Sequence, residues 1–245
     1  MPGSASERRD SARTAVVWEA LGPVLGRPGL DVLDIGGGTG GFAVRVAGLG
    51  HRVTVVDPSP DALAALARRA REDGVDVVGQ QGDLGSLLEL VGPAGADVVL
   101  CHGVLEVVDD AAAALATIRE VLRPGGRLSL LVAQRHAAVI ARAMAGHVAA
   151  ALAMLDGAEP ARGTTGRTGR RFTADEVTGL LAEAGLEVGS VHGIRVFADL
   201  VPGALLDLEP GTTAALLELE RAVSERAEYL PLATQLHLLA VNAER

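Results

Sequence analysis

The stretch VLDIGGGTGGF, Val32 to Phe42, decides how the rest of the chain is read. Its first half is an apolar run interrupted only by Asp34, the pattern of a strand buried on both faces. Its second half gathers Gly36, Gly37, Gly38, Gly40 and Gly41 around Thr39. Such a cluster lets the chain turn sharply out of a strand and lets its backbone approach a bound nucleoside. GFAVRVAGLG then reads as a helix closed by Gly50. About twenty residues beyond the turn, Asp57 ends the apolar run HRVTVVD, where a carboxylate can grip ribose hydroxyls. The glycines also satisfy GxGxxG, so by themselves they admit NAD or FAD. Asp34 argues otherwise. A carboxylate two residues before the first glycine would repel a pyrophosphate, whereas it suits a cofactor bearing an amino or sulfonium group.

Outward from this unit, strands and helices alternate. SPDALAALARRAREDG is a helix with Ser59 as N-cap, Pro60 at its first position and Gly74 as its stop. VDVVGQQGD and ADVVLCHGVLEVV contain strands. DDAAAALATIREVL is a helix capped by Asp109 or Asp110, RPGG reads as a turn, and RLSLLVA as a strand. Continuous apolar strands separated by helices specify an α/β fold with a doubly wound, mostly parallel sheet. Upstream, ARTAVVWEALGPVL has helical spacing. After Ala133 the rhythm breaks, and residues 136–171 read as an insertion: an Ala-rich helix or helix pair followed by a Gly/Thr/Arg loop. The alternation resumes at TADEVTGLLAEAG, where Thr173 and Glu176 form a capping box and Gly185 stops the helix. LEVGSVHGIRVFADLV, a helix over TTAALLELERAVSERAEY and the strand QLHLLAVNA follow. The whole of residues 1–245 is read as one domain with an insertion.

Composition narrows the function. The chain is 49% hydrophobic but 2% aromatic, so Ala, Val and Leu must build its core. All 22 basic residues are arginine, the mark of a GC-rich coding bias, so arginine counts alone say little about phosphate binding. A net charge of −9 repels polyanions at long range, and any nucleic-acid contact needs a local basic patch. The single cysteine, Cys101, excludes an internal disulfide and points to a reducing, cytoplasmic setting. The first residues carry no apolar leader core. AAVIARAMAGHVAAALAML, Ala137 to Leu155, is broken by Arg142, Gly146 and His147 and reads as water-soluble helix, so no membrane segment is expected. The histidines show no metal-ligand spacing, and no metal is expected.

Taken together, LDIGGGTG, VVDPSP, QQGDL, ADVVLCHGVLEVV and VLRPGGRLSLLV resemble, in order and spacing, the class I S-adenosylmethionine-dependent methyltransferases. The resemblance covers roughly Val32 to Val132. It implies S-adenosyl-L-methionine as cofactor and a Rossmann-like seven-stranded sheet with the last strand antiparallel. It also places Asp34 and Gly36, Gly37 and Gly38 at the methionine end, Asp57 on the ribose, and Gly82 and Asp83 near the adenine. A narrower resemblance extends along nearly the whole chain. CHGVLEVV, LRPGGRLSLLV, MAGH, HGIRVFADL and YLPLATQLHLLA look like the bacterial tRNA 5-carboxymethoxyuridine methyltransferases, which esterify the carboxylate of a modified wobble uridine. This resemblance implies that Arg13 reaches the cofactor and that His102 lines its pocket. Where that family has Tyr-Asn after the fifth strand this chain has Ala133-Gln134, and its Lys-rich loop is replaced by ARGTTGRTGRR.

On the substrate side, a carboxylate acceptor needs a cation to orient it, and Arg195 in HGIRVFADL is the candidate. Its alternative is an arginine on a strand edge with its head in water. Residues 134–172 hold Arg135, Arg142, Arg162, Arg167, Arg170 and Arg171 against Asp156 and Glu159. That island is either a solvated loop or a phosphate-contacting flap for tRNA, with Arg162, Arg167, Arg170 and Arg171 as its patch. A small-molecule acceptor at the same cofactor site is the competing expectation. Cys101 reads as a small buried residue and not a nucleophile.

Overall fold

The computed structural model describes residues 14–155, 169–202 and 211–243. Its frame is a seven-stranded sheet in the order β3-β2-β1-β4-β5-β7-β6. The strands are β1 (Asp31–Ile35), β2 (Arg52–Asp57), β3 (Val77–Gln81), β4 (Ala96–His102), β5 (Leu122–Ala133), β6 (Leu186–Ile194) and β7 (Gln235–Asn242). β1 to β5 pair in parallel, and the last strand runs antiparallel. From β1 the chain steps outward to β2 and β3, then returns to β4 on the other side of β1. In open sheets of this kind the crevice at such a reversal, beyond the carboxyl ends of the strands, is where ligands bind.

The chain divides into two compact units. One comprises Gly22–Leu131, Thr178–Gly189 and Leu238–Arg245; the other comprises Met1–Leu21, Val132–Val177 and Ser190–His237. The first unit is built around Val32, Leu33, Val53, Val55, Val98, Val99, Leu100, Leu128 and Leu130, all buried. Close packing of short aliphatic residues explains how a core forms with so few aromatics. Arg123 bridges Asp97 (2.7 Å) and Asp31 (2.9 Å), and Arg52 reaches Asp31 (2.6 Å), tying together the amino ends of β1 and β2 and the start of β5. At the carboxyl end of β7, Asn242 is buried and its Nδ2 lies 2.9 Å from Leu122 O, 3.2 Å from Arg123 O and 3.3 Å from Arg119 O. Asn242→Ala would strip donors from buried carbonyls and is expected to cost about 1–3 kcal/mol of stability, read by chemical denaturation.

The helices of this unit follow their sequence signals. They are α2 (Ala43–Gly48), α3 (Pro60–Asp73), α4 (Leu87–Val91) and α5 (Ala111–Val121), preceded in the chain by α1 over residues 14–21. Ser59 accepts from Ala62 N at the start of α3, and Gly74 closes it at φ +68. Of the two aspartates before α5, Asp110 makes the cap, accepting from Ala113 N at 3.0 Å. RPGG departs from its reading as a turn ahead of the strand: it lies inside β5. The register jumps from Ala96↔Leu122 to Val98↔Arg127, so that Asp97 faces a bulge spanning Arg123 to Gly126. Gly125 at φ +75 makes the bulge possible.

In the second unit, the Ala-rich stretch forms a helix pair, α6 (Arg135–Met144) and α7 (Val148–Leu155), separated at Gly146. Among the described residues no helix is long and apolar enough to cross a membrane. Phe172 is fully buried, bridging in parallel to Gln134. Thr173 and Glu176 make the expected capping box of α8 (Ala174–Glu183), with Thr173 N donating to Glu176 Oε2 at 2.9 Å and Glu176 N to Thr173 Oγ1 at 3.2 Å. α9 (Thr212–Val223) ends well before Tyr229, short of its sequence reading.

Candidate cofactor site

At the carboxyl end of β1 the chain leaves the sheet at Gly36, whose N–H donates to Val56 O on β2 at 2.8 Å. Gly36 has φ +65, and a Cβ there would sit 2.6 Å from Val104 Cγ2. At Gly37 a Cβ would lie 2.5 Å from Asp34 Oδ2 and 3.0 Å from Val55 Cγ1. Both positions therefore admit only glycine, one through its dihedral and its neighbour, the other through close approach to a carboxylate. The result is a turn with bare backbone beside the ends of β1 and β2.

Two carboxyl groups flank this turn in different environments. Asp57, at the end of β2, accepts from Gly38 N at 2.9 Å and Ser59 N at 2.8 Å, so backbone dipoles meet its charge. Asp34 is 3% exposed, and among the described residues no salt bridge reaches it. Burial, reinforced by the nearby Asp57, pushes its carboxyl up to about 7. A carboxylate desolvated without a cation is an unfavourable arrangement that a positively charged ligand would relieve.

Gly82 and Asp83 follow β3. Gly82 N donates to Asp57 O at 3.2 Å, which joins this turn to the end of β2. Asp83 caps a short 3-10 turn, Leu84–Ser86, by accepting from Gly85 N at 2.9 Å, and its own N–H donates to Ser86 Oγ at 2.9 Å. A Cβ at Gly82 would meet Ser86 Oγ at 2.5 Å and Leu90 Cδ1 at 2.7 Å.

β4 delivers Cys101 and His102. Cys101 is fully buried, and burial drives its thiol far above its ordinary range, so it carries no thiolate. His102 points its Nε2 at Ser129 Oγ, 2.8 Å away, and its ring meets the edge of Phe42 at 4.7 Å and 81°. The imidazole is enclosed although the residue as a whole is only partly buried, and burial lowers its pKa to about 4. It is neutral at physiological pH and can stand beside a cationic ligand without repelling it. Sequence reasoning missed Ser129; its signal is the lone hydroxyl within the apolar run RLSLLV. Asp34, Gly36, Gly37, Gly38, Asp57, Gly82, Asp83 and His102 all fall in the first compact unit, on the ends of β1 to β4 or the turns that follow them.

The remaining candidates stand elsewhere. Arg13, Arg162 and Arg167 lie outside the described residues. Arg195 belongs to the second unit, just past the end of β6, where the strand gives way to a turn at φ +59. Its Nε is buried without a hydrogen bond, 3.3 Å from Asp199 Oδ2. Among the other arginines, Arg135 is held by Glu176 (2.7 and 2.8 Å) and by Arg171 O (3.1 Å), while Arg170 stacks over Phe172 at 5.0 Å. Gln134 is also committed to structure: it caps α6 through His136 N and donates to Leu230 O at 3.0 Å. Among the described residues no group of three or more His, Cys, Asp or Glu is placed to hold a metal ion.

Comparison with known proteins identifies the family. Residues 33–128 match the family model described as a methyltransferase domain. The tRNA 5-carboxymethoxyuridine methyltransferase of Escherichia coli strain K12 is 31% identical over 93% of this chain and 87% of its own length. The ubiquinone biosynthesis O-methyltransferase of Caulobacter vibrioides is 36% identical, over 48% of this chain and 46% of its own. Among solved structures, magnesium protoporphyrin IX methyltransferase from Synechocystis PCC 6803, with bound SAH, shares the fold with a TM-score of 0.61 and 17% identity, covering 95% of this chain and 82% of that one.

Proposed function

The chain belongs to the S-adenosylmethionine-dependent methyltransferases, in the family of the tRNA 5-carboxymethoxyuridine methyltransferases, and from that premise we propose that it methylates the carboxylate of 5-carboxymethoxyuridine at the tRNA wobble position. The observation that carries the reading is the extent of the likeness to the Escherichia coli enzyme, 93% of this chain against 87% of that protein. A small-molecule acceptor is the second reading, favoured by the ubiquinone biosynthesis O-methyltransferases, whose matches span about half of this chain, 48% for the Caulobacter protein. A tRNA acceptor would also place the activity in the cytoplasm.

The residues at the ends of β1 to β4 suit S-adenosylmethionine. Asp34 is a buried carboxyl lacking a cation, which the amino group of the methionine moiety would supply. Gly36, Gly37 and Gly38 offer backbone where a Cβ at the first two would clash. Asp57 is assigned to the ribose, Gly82 and Asp83 to the adenine, and neutral His102 to the pocket wall. Arg13 is assigned to the cofactor by the family likeness. When bound, the cofactor supplies a methyl group activated by a positive sulfur. An acceptor carboxylate would be ionised at neutral pH and would need no proton taken from it before receiving that methyl group. No general base is required. The side chains around β4 are consistent with such chemistry: His102 is a weak base at a pKa near 4, and the Cys101 thiol is buried. What remains for the protein is to position the reactants.

Arg195 is assigned to the substrate carboxylate, which a planar guanidinium can bind through two parallel hydrogen bonds. The 136–171 insertion is assigned to the substrate side, with Arg170 and Arg171, together with Arg162 and Arg167, contacting tRNA phosphates. Purified enzyme incubated with S-adenosylmethionine and tRNA bearing 5-carboxymethoxyuridine should form an alkali-labile methyl ester on that tRNA and leave tRNA lacking the modification untouched. Esterification of small acids with no transfer to this tRNA would favour the second reading.

A further inference from the structure

We propose that Glu220 is a positioning residue for Arg195: its buried carboxylate locks the turn that holds the arginine in a left-handed backbone conformation. The inference rests on the assignment of Arg195 to the substrate carboxylate. Among the described residues only Ala94 and Arg195 have positive φ without being glycine, at +51° and +59°. Arginine has no short polar side chain to satisfy its own backbone there, and its Cβ crowds the following carbonyl oxygen in this conformation. It persists only where the surroundings over-determine it.

The surroundings do so on both sides of the residue. Arg195 O accepts from Thr234 N at 3.4 Å and lies 2.8 Å from Thr234 Oγ1. Immediately after it, three consecutive amides converge on one side chain. Val196 N donates to Glu220 Oε2 at 2.9 Å, while Phe197 N and Ala198 N donate to Glu220 Oε1 at 2.8 and 2.7 Å. Glu220 comes from the last turns of α9 and is 1% exposed. Such a run of converging N–H groups is an anion-binding nest, and here the chain fills it with its own carboxylate. The turn then continues through Leu200 N and Val201 N, both donating to Phe197 O.

The clamp matters for Arg195 because its Nε is not aimed by a hydrogen bond. The neighbouring Asp199 carboxylate at 3.3 Å pairs with it only as a charge. The backbone therefore sets the direction in which the side chain leaves the chain. If the amides of Val196 to Ala198 were released, φ at Arg195 could relax to negative values, and the Cα–Cβ vector would turn with it. Two parallel hydrogen bonds to a carboxylate tolerate errors of only about 10–20°.

The test compares binding of two tRNAs to the purified full-length enzyme: one bearing 5-carboxymethoxyuridine, the other its neutral carboxamide. Wild type should prefer the acid, and Arg195→Ala should lose that preference. Glu220→Gln, isosteric but able to present only one acceptor oxygen, should cut the acid-over-amide preference by about tenfold with cofactor affinity held within about twofold. In the Arg195→Ala background Glu220→Gln should change the preference no further, because the two act as one unit. A Glu220→Gln enzyme that keeps the wild-type preference, or that loses affinity for both tRNAs equally, overturns the inference while leaving Arg195 in place. Absence of any acid preference in wild type overturns the assignment of Arg195 and the inference with it. Should Glu220→Gln fail to fold, Thr234→Val removes the hydroxyl at Arg195 O from the other side. It must produce the same selective loss, smaller in size, and an unchanged preference there counts against the clamp.

Discussion

Replacing Asp34 with asparagine should weaken S-adenosylmethionine binding by about 100-fold while making the cofactor-free protein more stable at pH 8. Both halves follow from one carboxyl group. In the folded protein burial raises it from its ordinary value of 3.8 to about 7, so between those values the native state holds a proton that the unfolded chain releases. Native stability therefore falls as pH rises through that window and levels off above about 7, where the native group must ionise without a cation. The full linkage is worth about 4 kcal/mol. Asparagine removes this pH-dependent cost but buries an amide with its own desolvation penalty, so the net gain at pH 8 is about 2 kcal/mol, and below about pH 4, where the linkage is gone, it reverses to a loss of about 2 kcal/mol. Cofactor binding should run the other way, because a cation placed beside Asp34 would favour the ionised form and expel the proton. Wild-type affinity should drop as pH falls below about 7, with proton release visible by calorimetry in buffers of different ionisation enthalpy. The variant should show neither effect. An Asp34→Asn protein that binds the cofactor normally would remove Asp34 from the site.

Arg195→Ala should lower kcat/KM for tRNA bearing 5-carboxymethoxyuridine by roughly 100- to 1,000-fold, the cost of leaving a desolvated carboxylate without its partner. Cofactor affinity should stay within about twofold, since the hydrogen bonds that hold Asp57, Asp83 and the glycine turn do not involve Arg195. Binding of tRNA as a polyanion should weaken little, because the proposed phosphate contacts are assigned to other arginines. Arg195→Lys should recover only part of the loss, since an ammonium keeps the charge without the paired donors. A strong ion pair holds the ground state as well as the transition state, so KM should absorb much of the effect. Normal activity in Arg195→Ala would return the residue to the scaffold.

The strands, turns and caps were legible because their signals are local. Strand period, the glycine turn, Asp57 at the end of the next strand and the caps at Ser59, Thr173 and Gly74 each depend on residues a few positions apart, and the structure forms them as read. What was illegible depended on distance. RPGG carries turn chemistry, yet β4 keeps β5 paired across it, so it bulges instead of turning. HGIRVFADL alternates like a strand. Nothing within it announces that Glu220, 24 residues beyond Val196, will capture three of its amides and end the strand at Ile194. Arg135 counts toward a basic island in the sequence, but Glu176, 41 residues later, takes its guanidinium for structure. Gln134 likewise stands where the resembling family has an Asn after its fifth strand, and its side chain is used as a helix cap.

The central claim is that this enzyme esterifies a wobble-uridine carboxylate, and the most direct measurement is mass spectrometry of nucleosides from total tRNA in cells with and without the gene. Digestion must avoid alkali so that the ester survives. The account predicts that deletion abolishes the methyl ester of 5-carboxymethoxyuridine and that the free acid accumulates in its place. Reintroducing the wild-type gene should restore the ester, and the Arg195→Ala gene should not. Identical nucleoside profiles in the two strains would contradict the claim.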